Sequence, residues 1–470
     1  MNYAARYRNA DLVEVCLAGA GGFGRCLLAQ SVSIPLLNVR VVVEREPEIA
    51  VAALRELGFS PSTWMLCTNA TEAKVAYSQG KKVVTDDLAA VIDLPFAVLV
   101  EATGHPEGAA RHARMAVEAG RHVAMVSKEA DCVVGPLLAH MAGKRERVVT
   151  PVDGDQPSLL IGLISWAEVL GLEILAAGKS SEYDFVFDPE AGTLTSNGHS
   201  IDCPQMGETL TGETTDLIAR IARRARLAAP FVQRAVPDLC ELSIVANATG
   251  FLPDRPDLHA PLARIQEVPS LFRPRSEGGI FSETRVLDVF HCVRRPFELS
   301  LAGGVFIVVR CGDAKTWRLL GEKGHILSPD GRTAMLTIPR HLLGVEAATT
   351  LLDAAILGET SGREKPSHQV DLTAVAHAEL PAGTHLTMGG HHHTIENVGP
   401  RIVPAGALGP DAAAPFYIAA NRTLIRSVGA GDTIKMADLD LTRTGELLQL
   451  RRVQDTLFFP SRETAVRETA

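Results

Sequence analysis

The stretch LVEVCLAGAGGFGRCLLAQ, residues 12–30, decides how the chain begins to fold. An apolar run, 12–18, ends directly in Gly19-Ala20-Gly21-Gly22-Phe23-Gly24, and a helix-compatible segment follows. In such a strand–turn–helix the first glycine permits the tight turn and the second lets backbone approach a pyrophosphate. The third lets the helix pack closely on the strand, and the helix N-terminus offers partial positive charge to phosphate oxygens. Gly19, Gly21, Gly22, Phe23 and Gly24 are therefore the expected pyrophosphate contacts of a dinucleotide. Context makes the motif informative, because the pattern alone is weak without a strand before it and a helix after it.

The same texture continues outward to about residue 150. Apolar runs at 39–43, 96–100 and 122–126 read as buried strands of a parallel sheet covered on both faces. Amphipathic stretches at 47–58 and 107–119 lie between them, the second ending at Gly120, where a C-terminal cap belongs. The alternation predicts an α/β fold, with an N-terminal Rossmann doubly wound sheet over 11–150. From 151 to 340 the pattern is α+β, with helices expected at 158–170 and 213–227 and strands at 173–177, 304–311 and 334–338. A helical stretch, 341–357, follows and can pack back on the first domain. GETSGREKPSHQ then reads as a linker, 359–368, before a small β-rich module over 369–456 and a polar end, 461–470.

Composition limits the function classes. A chain of 470 residues is too long for one core. The net charge of −9 argues against a nucleic-acid surface, so Arg220, Arg223, Arg224 and Arg226 read as a solvated helix face. Eight cysteines are scattered without a CxxC pair, which suits a reducing compartment and points to no zinc knuckle. No apolar run is long enough to span a bilayer. The expectation is a cytoplasmic protein with a small-molecule substrate, and neither nucleic-acid nor membrane partners.

Further candidates sit at strand ends. The run 39–43 ends at Glu44-Arg45; the acid would hydrogen-bond adenosine ribose hydroxyls as in NAD, whereas the arginine would pair with the 2′-phosphate of NADP. Both are present, so the two cofactors stay open. Ala102, Thr103 and Gly104 leave room beside the switch point for the nicotinamide half. Ser127-Lys128 closes the next strand, and an ammonium there can stabilise a substrate carbonyl or alkoxide oxygen.

GAGGFG, VLVEATG and HVAMVSKEA together resemble the nucleotide-binding domain of homoserine dehydrogenase. VDGDQPS (152–158), ELSIVANATG (241–250) and the β-rich tail resemble, more closely, homoserine-dehydrogenase-like oxidoreductases with a C-terminal SAF domain. That group includes enzymes like deoxyxylulose-phosphate reductoisomerase. The resemblance covers most of 11–455 and implies an NAD(P)-dependent oxidoreductase with a central catalytic and dimerisation domain, forming a dimer or tetramer. It gives Lys128 a catalytic role. The Asp-x-x-x-Lys pair of those enzymes finds its nearest match in Asp216 and Arg220, and arginine cannot replace an acid/base lysine.

Other polar residues can supply the chemistry. Lys179, in a turn after the strand 173–177, can bind an anionic group or act as acid/base, with Glu182 as its partner. Asp153 and Asp155 stand before an apolar helix, where capping is the alternative. Glu241 and Asn247 are either pocket or satisfied core groups. The candidate catalytic set is Lys128, Lys179, Asp155 and Glu241. The leading expectation is hydride transfer to or from a small hydroxy acid, polyol or sugar-phosphate substrate. A reductoisomerase would also need a divalent cation, Mg or Mn, for which Asp153, Asp155 and Glu241 are available. A non-catalytic dinucleotide sensor is the reading from another class. His391-His392-His393 reads as an exposed loop, because consecutive imidazoles on a strand point to opposite faces and cannot readily share one ion.

Overall fold

In a computed structural model, residues 2–211, 216–362, 365–390 and 392–460 are described. The first sheet is wholly parallel, with seven strands: β1 Val13–Ala18, β2 Leu37–Val43, β3 Trp64–Leu66, β4 Lys82–Thr85, β5 Val98–Glu101, β6 His122–Met125 and β7 Val149–Pro151. Their order is β3-β4-β2-β1-β5-β6-β7, so the direction of winding reverses between β1 and β5. In open parallel sheets ligands bind outside the carboxyl ends of strands at such a reversal. The expected strands 12–18, 39–43, 96–100 and 122–126 are present with ends moved by a residue or two. Strands β3 and β7, of three residues each, are too short for periodicity to register, and the four-residue β4 is not among the expected strands either.

The second sheet is mixed and runs β11-β10-β9-β14-β8-β15-β17-β16. Its strands are β8 Ile174–Ser180, β9 Phe185–Asp188, β10 Thr193–Ser196, β11 His199–Asp202, β14 Val286–Arg294, β15 Val305–Arg310, β16 Ile326–Leu327 and β17 Thr333–Ile338, with the two-residue strands β12 Leu252–Pro253 and β13 Leu262–Ala263 against β14. The expected strand 173–177 is longer than read, and Lys179 lies inside β8 rather than in a turn after it. Gly178 makes this possible: a Cβ there would run into the Asp288 carbonyl of β14. The expected helix 213–227 is observed as Leu217–Leu227 capped by Asp216, with 213–215 outside the described residues. Its arginines are not all on a solvated face. Arg224 is fully buried, bonded to Glu267 and to the Thr209 carbonyl.

The third sheet, β18 Val370–Ala376, β19 Met388–Gly389, β20 Thr394–Ile395 and β21 Val398–Pro404, is antiparallel in the order β18-β21-β20-β19. The described part of the expected linker is pinned instead of free. Ser361 N donates to Thr150 Oγ1, and the Asn247 side chain accepts from both Gln369 N and Val370 N. The segment after 341 lies back on the first sheet: Ala347, Leu351 and Leu352 share an apolar cluster with Val13, Val15 and Leu27. The terminal helix Glu446–Phe458 packs on the first-sheet helices Pro106–Glu118 and Lys128–Gly143. Residues flanking all three sheets come together at the carboxyl end of the first.

Candidate active site

The loop after β1 is built as its sequence requires. Gly19 has φ +96°, and a Cβ on it would run into the Ala102 backbone after β5. A Cβ on Gly24 would meet the Gly19 carbonyl, so the helix Gly22–Ser31 can approach the turn only with glycine there. Gly21 is its N-cap with open space around it. Glu44 stands at the end of β2, and its carboxylate accepts the Ala20 N–H at 2.8 Å. Arg45 is 82% exposed and pairs only loosely with Glu46, at 3.6 Å.

A cavity of about 410 Å³ opens at the reversal point. Gly22 and Phe23 line it from the glycine loop, Ala102–Gly104 from the end of β5, and Ser127–Glu129 from the end of β6. The Ser127 hydroxyl accepts the Gly104 N–H at 2.8 Å and so ties the two strand ends together. The central domain adds Asp155, Gln156 and Glu241, and the C-terminal sheet region adds His392, His393 and Tyr417.

A chain of alternating charges forms one wall. Lys128 Nζ lies 3.1 Å from Asp155 and 2.9 Å from Glu241. Glu241 also pairs with Lys179, whose Nζ lies 2.8 Å from Asp238 and donates to Gln156 Oε1 at 3.1 Å. Asp238 in turn accepts from the Ser181 hydroxyl at 2.7 Å. Asp155 caps the helix Gln156–Val169 as well as facing Lys128, so its capping and its site role coexist. Burial alone would drive Lys128 down, but Asp155 and Glu241 outweigh it and hold the ammonium well above its ordinary range. Burial likewise pushes Glu241 up, yet the two lysines outweigh it and bring the carboxyl to about 2.

The lysines differ in access. Lys128 keeps 25% of its side chain exposed, on the cavity side. Lys179 is 2% exposed, and its three N–H groups face three acceptors. It holds Glu241 and reaches no open space. Glu182 does not pair with it; it lies beside His392, at 3.5 Å.

Other candidates fall outside the cavity wall. Asp153 bonds Ser158 and Thr349, tying the segment after 341 to the central domain. Asn247 staples β18 to the helix Val236–Thr249. Arg220 pairs with Glu267 and Asp216 caps its helix, so this pair belongs to the arginine helix and not to the wall. Asp238 was missed, although its i,i+3 spacing with Glu241 puts both on one helix face. Glu129 and the histidines were also missed as site groups. His392 and His393 stand half-buried at the cavity, not in an exposed loop, because the hairpin between β19 and β20 tips inward; His391 lies outside the described residues.

Among the described residues no group of three His, Cys, Asp or Glu side chains converges to hold a metal ion. Asp155 and Glu241 already carry Lys128, and Asp153 faces hydroxyls elsewhere. The described side chains do not fit a divalent cation.

Residues 154–347, less than half of the chain, match the family described as the catalytic domain of oxidoreductase DRL. Among solved structures the chain is similar to a putative oxidoreductase from Klebsiella pneumoniae, with 17% identity, 73% of this chain and 85% of that chain covered, and a TM-score of 0.33. Levoglucosan dehydrogenase in complex with NADH and L-sorbose gives 20% identity over 38% of this chain and 44% of that one, at a TM-score of 0.25. DOX-P reductoisomerase with fosmidomycin and magnesium gives 15% identity over 36% and 46%, at 0.28. The chain spans less than half the length of the latter two, and at these scores none of the three bears on ligand or substrate. No protein of curated function matches the sequence significantly.

Proposed function

We propose that the chain is an NAD(P)-dependent dehydrogenase or reductase of a small polyhydroxylated substrate. One observation carries the proposal: the glycine loop, the ends of β5 and β6, and the only lysine among the described lining residues all open into one cavity at the reversal of the sheet. A bound nicotinamide dinucleotide would supply or accept hydride. The loop 19–24 would hold its pyrophosphate, Glu44 its ribose, and Ala102–Gly104 with Ser127 would face its nicotinamide half.

The chain's own chemistry is electrostatic. Lys128 is held protonated between Asp155 and Glu241, so it presents N–H to the substrate oxygen and stabilises the charge that develops there. It is too firmly protonated to act as a base. Lys179 is a positioning residue, fixing the carboxylate that fixes Lys128. Among the described lining residues there is no arginine, and Glu129, Asp155, Glu182 and Glu241 all border the cavity. Of the three substrate kinds, this favours an uncharged polyol or hydroxy-ketone over a phosphate ester. The likeness to homoserine-dehydrogenase-like enzymes with an SAF domain belongs to the same proposal.

A thermal-shift screen with NAD, NADP, polyols, hydroxy acids and sugar phosphates, followed by absorbance of the reduced cofactor, tests it. A dinucleotide is expected to raise the midpoint, and a polyol or ketose to give turnover unaffected by chelator. Absence of any dinucleotide effect sinks the proposal. Turnover that disappears with chelator would favour the metal-dependent reductoisomerase over the simple dehydrogenase.

A further inference from the structure

Oxidising a carbinol requires a proton acceptor, and the lysine network provides none: Lys128 is locked as a cation and Lys179 is enclosed. The cavity offers another group, delivered from the far end of the sequence. His393 sits at the tip of the hairpin joining β19 to β20, and its Nδ1 lies 2.5 Å from Glu129 Oε1. Glu129 is the residue after Lys128 on the same helix. A carboxylate accepts and does not donate, so the shared proton belongs to Nδ1, and Nε2 is left with its lone pair.

Two further observations mark the position. His393 has φ +49°, an unusual backbone state for a residue that is not glycine, and such outliers collect at functional sites. Its imidazole also lies so close to Gly104 that a Cβ on that residue would collide with the ring. Gly104 belongs to the turn after β5, where the nicotinamide half is placed above. The hairpin therefore carries an imidazole to the reacting end of the cavity.

We propose that His393, oriented by Glu129, is the proton acceptor and donor of this enzyme, and that the C-terminal module thereby completes the active site; this rests on the dehydrogenase reading above. As the carbinol C–H bond breaks and its hydride leaves with both electrons to the oxidised dinucleotide, the O–H proton passes to Nε2. The carbonyl so formed stays against the Lys128 ammonium. In the reduction direction the imidazolium returns the proton to the oxygen. Glu129 is the positioning residue. The hydrogen bond that the imidazole donates to Glu129 raises its affinity for a proton, against burial and the Lys128 charge, which lower it. Beside it stand His392, Glu182 and Tyr183, the last bonded to His392 at 2.9 Å.

Two measurements on the full chain test this. In the first, diethyl pyrocarbonate labels His393 with and without saturating NADH or NADPH, read by peptide mass spectrometry. Protection by the dinucleotide is expected. Binding without protection overturns the placement while leaving the dehydrogenase reading intact, whereas no binding of either dinucleotide sinks that reading and this inference with it. In the second, His393→Asn keeps a residue that tolerates positive φ and removes the imidazole. Turnover of the best polyol is expected to fall about 100-fold or more with dinucleotide affinity unchanged. Glu129→Gln should move the acidic limb of kcat/KM for alcohol oxidation to lower pH, because the carboxylate that raises the imidazole is gone. Near-normal turnover in His393→Asn, or an unmoved limb in Glu129→Gln, would show that the imidazole has only a structural role.

Discussion

Lys128 borders the cavity and Glu44 stands apart from it, against the Ala20 N–H at the end of β2, so single substitutions at the two have separable effects. On the proposed function, Lys128→Ala removes the ammonium that would face the substrate oxygen and leaves in place the groups that would hold the dinucleotide. Its kcat should fall by about 10²–10³, the usual cost of one oxyanion-stabilising donor, while the dissociation constant of the cofactor stays close to that of the wild type. A loss confined to cofactor affinity would place Lys128 outside the chemistry. Glu44 accepts the Ala20 N–H and stands at the end of β2, where a 2′-phosphate would meet its charge. On the proposed reading Glu44 would favour NAD over NADP, since Arg45 is turned to solvent. Glu44→Ser should shift the ratio of NADP to NAD affinity by about tenfold toward NADP, as isothermal titration of the two cofactors would show.

The helix Lys128–Gly143 links the site to the interior and carries two weak points. Pro136 interrupts its hydrogen-bond ladder, and the Gln454 side chain fills the gap, accepting from Leu137 N and donating to the Val133 carbonyl. Gln454→Leu strands both buried backbone groups and should cost about 1–3 kcal/mol in denaturant unfolding. Asp131, on the same helix, is forced up from 3.8 to about 7 by burial. Its folded-state value lies above its unfolded one, so the native state binds the extra proton and stability falls as pH rises from about 4 to about 7. Asp131→Asn should raise the melting temperature at pH 8 by a few degrees and leave it little changed at pH 4. An equal shift at both pH values would show that the carboxyl's charge is not the cause.

At the scale of the whole molecule, the chain returns to its beginning. The terminal helix is fastened by Arg451, fully buried, which bonds both oxygens of Asp371 at 2.7 and 3.0 Å and Asp455 at 2.8 Å. Removing one partner of a buried ion pair leaves an uncompensated charge, so Arg451→Ala should cost about 3–5 kcal/mol. Activity should disappear at the same denaturant concentration as native circular dichroism, since the module this helix secures carries His392 and His393. Full activity after that module has unfolded would separate it from the site.

Residues 12–30 were legible because they act locally: the turn, the strand before it and the helix after it are all dictated by neighbours in sequence. The buried strands of the first sheet were legible for the same reason, through their continuous apolar runs, and Lys128 because it closes one of them. Lys179 was visible as a charged residue, but its depth was not, since only β14 and β15 on either side decide that it lies inside a sheet. Asp238, Glu129 and His393 were beyond reach for a related reason. Their partners stand 59, 264 and 264 positions away in the chain. Hydrophobic period reports which face of an element is buried; it cannot report which polar groups meet there. The sequence by itself determined a dinucleotide-type turn and the sheet that presents it. Only tertiary packing, closing three sheets on one cavity, decided which charges face one another inside.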